Sequence, residues 1–209
     1  MTAQSADDAD DRRRAIIDAA LELLAEQGYA GASLRKVAAK VGIAQPSLYH
    51  YFPTKEDLVE QVLATYAGEM FQTFDPASLP QRLEDLPRMV VETALRVYER
   101  PRHPLFVRVA FSVSRVNPCY AKLMRSIFVD RAQEGMLLIA RPFIDAGDLT
   151  EQEAVHLIST IIYGIGFHLL EQKVLFDERP LGAATRDHAE FVIELAETWI
   201  RCRSGRDSP

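Results

Sequence analysis

An all-α fold is predicted by three observations. Apolar residues recur at helical spacing along the chain. Proline and glycine punctuate the gaps between those segments. No stretch sustains the apolar/polar alternation of a half-buried strand, and no Asn-Gly hairpin turn occurs. With 209 residues, 48% hydrophobic and 26% charged, the chain has ample material for a globular core. It contains no internal repeats.

Each element follows from local chemistry. Residues 1–11 are polar and carry four aspartates, so they are expected to form a disordered acidic tail. Arg12-Arg13-Arg14 opens a helix in which Ile16, Ala20, Leu23 and Gln27 share a face and Gly28 is the stop. The arginines suit either phosphate and minor-groove contacts or a solvated helix start. In the next helix Leu34, Val37, Ala38 and Val41 form the apolar face, Ser33 is the cap and Gly42 the terminator. Pro46 fits the start of a third helix, since it has no N–H to leave unpaired. Leu48 and Phe52 point back to the second helix, small Ala38 lets the two approach, and Pro53 ends the run.

A capping box of Thr54 and Asp57 opens a fourth helix, predicted over Lys55–Phe74. Pro76 and Pro80 punctuate the loop after it. Further helices are expected at Leu86–Arg100, closed by Pro101 and Pro104, and at Leu105–Val116, closed by Pro118. Another spans Tyr120–Ile144 with a bend at Pro142. Thr150 and Glu153 form a second capping box for a helix to Val174, Pro180 and Gly182 a turn, and Thr185–Arg201 the last helix.

Two short helices joined by a sharp turn over residues 33–52 constitute a helix-turn-helix, whose second helix should enter a DNA major groove. Gln45, Ser47, Tyr49 and His50 lie off its apolar face, and Arg35 projects from the start of the helix before it. Arginine bonds bidentately to guanine and glutamine to adenine, while Pro46 and Tyr49 offer apolar surface to a thymine methyl. Ser33, His50, Tyr51 and Lys55 suit phosphates, which fix register without reading sequence. Charge supports this reading. Residues 12–55 hold seven basic and three acidic residues, while residues 56–209 hold 17 basic and 23 acidic, within a net charge of −6.

The same region resembles the TetR (tetracycline-repressor-like) family. The matching residues are Ala25-Glu26-Gln27-Gly28-Tyr29, Ser33-Leu34-Arg35-Lys36-Val37-Ala38, Gly42-Ile43 and Leu48-Tyr49-His50-Tyr51-Phe52-Pro53-Thr54-Lys55-Glu56-Asp57-Leu58. They cover about residues 12–60. The resemblance implies a homodimeric transcription regulator, usually a repressor released from its double-stranded DNA operator by a small-molecule effector. It also implies base contacts for Arg35 and Gln45 and phosphate anchoring for Lys55.

The expected division is therefore a helix-turn-helix domain over 12–57, a helical bundle for ligand binding and dimerisation over 58–203, and a tail over 204–209. The last two predicted helices carry more apolar surface than one core requires. Ile158, Ile162, Ile165 and Leu169 on one and Phe191, Leu195 and Trp199 on the other are the expected dimer interface, with Gly164 and Gly166 permitting close approach. Met70, Phe74, Phe106, Phe111, Arg115, Met124, Phe128 and His168 are the candidate lining of a ligand pocket, although aromatics and methionines at helical spacing equally make plain core.

No catalytic constellation is legible: the chain has no Gly-rich phosphate loop, HExxH or CxxC, and its two cysteines, Cys119 and Cys202, are far apart. No enzyme activity, metal or cofactor is expected. The longest apolar run, Leu157–Leu170, is too short to span a bilayer, and the acidic N-terminus lacks an apolar signal core. A cytoplasmic protein with no membrane partner is expected.

Overall fold

The computed structural model describes residues 3–71, 79–176 and 182–204, and every regular element among them is helical. In chain order these are α1 (Ala3–Gly31), α2 (Leu34–Val41), α3 (Gln45–Tyr51), α4 (Lys55–Phe71), α5 (Leu86–Tyr98) and α6 (His103–Ser114). There follow α7 (Pro118–Arg125), α8 (Ala132–Asp145), α9 (Glu151–Leu170) and α10 (Ala183–Ser204). A 3₁₀ turn, Leu83–Asp85, precedes α5, and π-helical segments Ser126–Arg131 and Glu171–Leu175 follow α7 and α9.

The chain divides into two compact units, Met1–Glu69 with Leu105–Met124, and Met70–Pro104 with Arg125–Pro209. The expected cut between residues 57 and 58 therefore moves, because α4 and the distant helices α6 and α7 belong with the first unit. There, α1 packs on α2 and α2 on α3. Buried residues include Ile16, Ala20, Leu23 and Leu24 of α1, Val37 and Ala38 of α2, Leu48 of α3, and Leu58, Val62 and Leu63 of α4. Gln27, expected on the apolar face of α1, is exposed, and its amide oxygen accepts from Lys36 Nζ at 2.6 Å. From α6, Phe106, Val109, Ala110 and Val113 are buried at i, i+3, i+4 and i+7, and the Phe106 ring stacks on Tyr66 of α4 at 6.2 Å.

The second unit is built around α9, which packs on α5, α8 and α10. Leu157, Ile158, Ile161, Ile165 and Leu169 of α9 share a core with Val90 and Val91 of α5, Ala140 and Phe143 of α8, and Val192, Ile193, Ala196 and Ile200 of α10. The Thr150–Glu153 capping box starts α9 as expected.

Several expectations change. The acidic segment is helical over its described part, 3–11, rather than disordered: it continues α1, and its alanines favour helix. α1 itself bends at Gly28, whose φ of 68° is a left-handed value that a β-carbon disfavours. Pro104 lies in the first turn of α6, where no N–H is needed, and so does not close the helix before it. The Tyr120–Ile144 helix is interrupted by the π segment at 126–131, and Pro142 lies inside α8. Glu151–Leu175 is long and apolar enough to cross a membrane, with mean hydropathy 1.4, although the expected apolar run was too short. Its apolar face is instead the centre of the second unit's core. α10 continues through Ser204, the first residue of the expected C-terminal tail. Residues 1–2, the predicted end of the fourth helix at Phe74, Pro76, Pro180 and the tail 205–209 lie outside the described residues.

Candidate nucleic-acid interface

The helix-turn-helix is set by its two ends. Ser33, extended at φ −135°, accepts the Lys36 N–H on its Oγ at 3.3 Å and caps α2. At the other end Gly42 is left-handed, φ 73° and ψ 32°. Its N–H donates to the Ala39 carbonyl at 3.3 Å, and the Ile43 N–H donates to the Ala38 carbonyl at 3.0 Å. This paired bonding stops the helix and turns the chain by one fixed amount. Ala44 then extends and α3 begins at Gln45-Pro46. Leu48 and Phe52 are fully buried, which fixes the rotation of α3 about its axis.

That rotation leaves Pro46, Ser47, Tyr49 and His50 exposed, as is Arg35 on α2, while Gln45, Tyr51 and Ser33 are half-buried. Gln45 Nε2 donates to Tyr49 Oη at 3.2 Å, so these neighbours on one helical face are ordered together. The reciprocal bonds of the second turn are also present: Thr54 N–H to Asp57 Oδ2 and Asp57 N–H to Thr54 Oγ1, each 3.0 Å.

Lys55, expected to suit a phosphate, is held by contacts within its own unit. Its ammonium donates to the Tyr29 carbonyl and lies 4.0 Å from the centre of the Tyr29 ring. Burial lowers its pKa from the usual lysine value. The Tyr29 hydroxyl in turn donates to Glu56 Oε1 at 2.6 Å. Burial and that bond raise the Tyr29 phenol pKa, and the same bond holds the Glu56 carboxyl below its usual range. Tyr29 is a site residue that the motif reading passed over; its signal was an aromatic directly after the Gly28 stop.

The arginine triplet divides. Arg12 is exposed, whereas Arg13 donates to Gln61 Oε1 at 2.9 Å and its guanidinium lies 4.7 Å from the centre of the Phe52 ring. Arg14 bonds Asp18 at 2.8 Å and also Glu69. Burial works against its charge, but those carboxylates outweigh it and raise its pKa. Arg13 and Arg14 tie α1 to α4.

Residues 16–62 match the model of bacterial regulatory proteins of the tetR family. That stretch is a tetR-family DNA-binding region. The tetracycline repressor protein class D of Escherichia coli is 42% identical to this chain over 73 residues, 30% of this chain and 34% of that protein. Transcriptional repressor KstR2 of Rhodococcus jostii is 36% identical over 74 residues, 34% of this chain and 36% of that protein. The chain thus spans about a third of the length of these curated relatives. Transcriptional regulator LuxR of Vibrio harveyi matches over 77% of this chain and 78% of its own length, at 23% identity. Among solved structures, a TetR-family regulator from Pseudomonas syringae has a TM-score of 0.70, covering 90% of this chain and 96% of that one at 16% identity. FadR of Bacillus subtilis, solved with stearoyl-CoA, has a TM-score of 0.67 at 20% identity, covering 88% and 96%. These likenesses extend the TetR fold beyond the helix-turn-helix.

The other candidate residues are placed less uniformly. Of the expected pocket lining, Phe106 and Met124 are buried in the first unit. Phe111 is exposed because it sits off the face of α6 that Phe106, Val109 and Val113 bury, and Arg115, just past the end of α6, is exposed too. Phe128 is exposed on a π segment, and Met70 is half-buried. His168 bonds Thr185 Oγ1 at 3.1 Å and its ring lies 4.7 Å from that of His188, so a partner within the fold already occupies it. Phe74 lies outside the described residues.

The expected dimer face is corrected in part. Ile158, Ile165 and Leu169 are wholly buried core and Ile162 is half-buried, whereas Phe191, Leu195 and Trp199 are exposed. On α9 the exposed apolar residues are Tyr163 and Phe167, one turn apart. Gly164 faces α10 within the chain, where a β-carbon would make van der Waals contact with Val192 Cγ2 at 3.4 Å.

Proposed function

We propose that this chain is a ligand-responsive homodimeric TetR-family regulator of transcription, a repressor acting in the cytoplasm on a palindromic operator in double-stranded DNA. The observation that carries the proposal is the exposed set Arg35, Ser47, Tyr49 and His50, with Gln45 bonded to Tyr49, on a turn locked by Gly42. Each subunit lays α3 in a major groove, with Arg35 and Gln45 reading bases and Ser33, His50, Tyr51 and Lys55 meeting phosphates.

The exposed apolar residues of α9 and α10 support pairing of two copies, which would present two reading heads to two half-sites. Release follows when a small molecule binds the DNA-incompetent arrangement more tightly than the competent one; equal affinity for both would shift nothing. Solved proteins of similar fold include one with stearoyl-CoA and one, from Saccharomonospora viridis, with choline. The fold therefore accepts unlike ligands and leaves effector chemistry to be found by screening.

The test is binding to DNA upstream of the protein's own gene, at fixed salt with nonspecific competitor, comparing wild type with Arg35→Ala/Gln45→Ala. Affinity that survives competitor and disappears in the double variant supports the reading. Equal binding by both proteins, removed by competitor, counts against that target, and equal binding across randomised duplexes counts against sequence reading altogether.

A further inference from the structure

Helix α7 begins 63 positions after Lys55, yet it belongs to the same compact unit as the helix-turn-helix. Its register is set locally. Asn117 Oδ1 accepts the Cys119 N–H at 2.9 Å, Pro118 takes the first helical position, and the Tyr120 N–H bonds the Asn117 carbonyl at 3.0 Å. This cap directs Tyr120 inward, where it is fully buried. Its ring meets Tyr29 at a centroid distance of 6.0 Å and 57° between planes, a tilted aromatic pair. Burial and the neighbouring Tyr29 raise the Tyr120 phenol pKa above the usual range.

Tyr29 in turn carries the opening of α4. Its carbonyl and ring hold the Lys55 ammonium, and its hydroxyl bonds Glu56. A continuous chain of contacts therefore runs from α7 through Tyr120 and Tyr29 to Lys55, one turn past the recognition helix. An aromatic ring missing on the α7 side would leave Tyr29 unsupported on its buried face, and the cation resting on Tyr29 would lose its fixed position.

We propose that Tyr120 is a positioning residue for DNA binding: through Tyr29 it sets where Lys55 presents its ammonium, so α7 controls the phosphate-contact strength of the reading head without touching base preference. This rests on the regulator reading above. It predicts that a displacement of α7 weakens all DNA sequences alike, since phosphate contacts carry no sequence information.

Two measurements test it. The first needs no DNA: the Lys55 side-chain methylene protons, assigned by their loss in Lys55→Ala, should be ring-current shifted in the wild type. Tyr120→Leu should return them toward the free-lysine position, and Tyr120→Phe should keep them in place. The second is binding to a duplex selected by the wild type from a randomised pool, measured across a salt series. Tyr120→Leu should weaken binding about tenfold and reduce the salt slope by about one per subunit, with an unchanged base profile. Adding it to Lys55→Ala should cost nothing further. If Tyr120→Leu loses its helical circular dichroism, Tyr120→Met replaces it in both arms.

An unmoved Lys55 signal in a folded variant, additive losses with Lys55→Ala, or an altered base profile would each overturn the proposal. Failure of the wild type to select any duplex would instead sink the regulator reading, and the Lys55 signal would still judge whether Tyr120 positions that side chain.

Discussion

Arg203 Nε lies 2.8 Å from Glu153 Oε1 and Arg203 Nη2 3.0 Å from Glu153 Oε2, clasping the last turn of α10 to the first turn of α9. Glu153 also accepts the Thr150 N–H and hydroxyl, each at 2.8 Å, so one carboxylate completes a helix cap and an inter-helix tie. The Arg203 bonds, then those of Thr150, pull its pKa down to about 2. A depressed acid stabilises the fold above its ordinary range near 4.5, and that contribution is lost as pH falls toward 2. The pair is partly solvated, so Glu153→Gln should cost only about 1 kcal/mol at pH 7. Urea midpoints along a pH series check this: the gap between wild type and variant seen at pH 7 should narrow below pH 4.5 and close only near pH 2.

His103 gives a second pH dependence of larger size. It is buried against the Tyr98 ring at 4.4 Å, and burial, with the Arg100 charge second, lowers its pKa from 6.5 to about 4. The folded state holds it neutral where the unfolded chain takes up a proton, so stability falls as pH drops from 6.5 toward 4. Between pH 7 and pH 5 this one group should remove about 2 kcal/mol. In His103→Gln, which cannot titrate, the loss over that interval should shrink by that amount; an unchanged loss would assign it to carboxylates instead.

Gly42 isolates conformational strain from steric clash. A β-carbon there would meet nothing within 4 Å, yet φ is 73°. Gly42→Ala should therefore cost about 1–2 kcal/mol through the left-handed backbone alone. Gly42→Asn should recover part of it, because asparagine tolerates that region. Thermal melts of the two variants decide: equal losses would mean that something other than backbone conformation is at stake.

On DNA, Arg35 and Lys55 should fail differently. Arg35→Ala should flatten preference at one base position per half-site, at about 1–3 kcal/mol of discrimination. Lys55→Ala should lower affinity for every sequence by a common factor and reduce the salt slope. Base-scanned binding curves separate the two, and a preference unchanged in Arg35→Ala would remove that residue from base reading.

What could be read from the sequence was whatever local chemistry decides. The Ser33 cap, the Gly42 stop and the Thr54 and Thr150 boxes all depend on residues within a few positions, and each is present. Leu48 and Phe52 were identifiable as core because helical spacing assigns them a face. Periodicity does not say which partner covers a face. Ile158 and Phe191 both lie on apolar stripes, but α5, α8 and α10 close over the first and leave the second exposed. The Tyr29 contact of Lys55 was not legible, because Tyr29, 26 positions earlier, comes to it only in three dimensions. The π segments were illegible for a similar reason, since their sequences satisfy ordinary helical spacing.

The corrected apolar face supplies the last prediction. Phe167 is 71% exposed and Ile158 0%, though both sit on α9. If two copies pair through Tyr163, Phe167, Phe191, Leu195 and Trp199, then Phe167→Asp places a carboxylate in that contact and should leave a folded monomer. Ile158→Asp places the same charge in the core, where it has no paired cation, and should unfold the chain. Sedimentation equilibrium together with circular dichroism distinguishes them. A Phe167→Asp protein that remains dimeric would move the interface off this face. A monomer that still protects one half-site, but not both, would tie pairing on α9 and α10 to operator reading by α3.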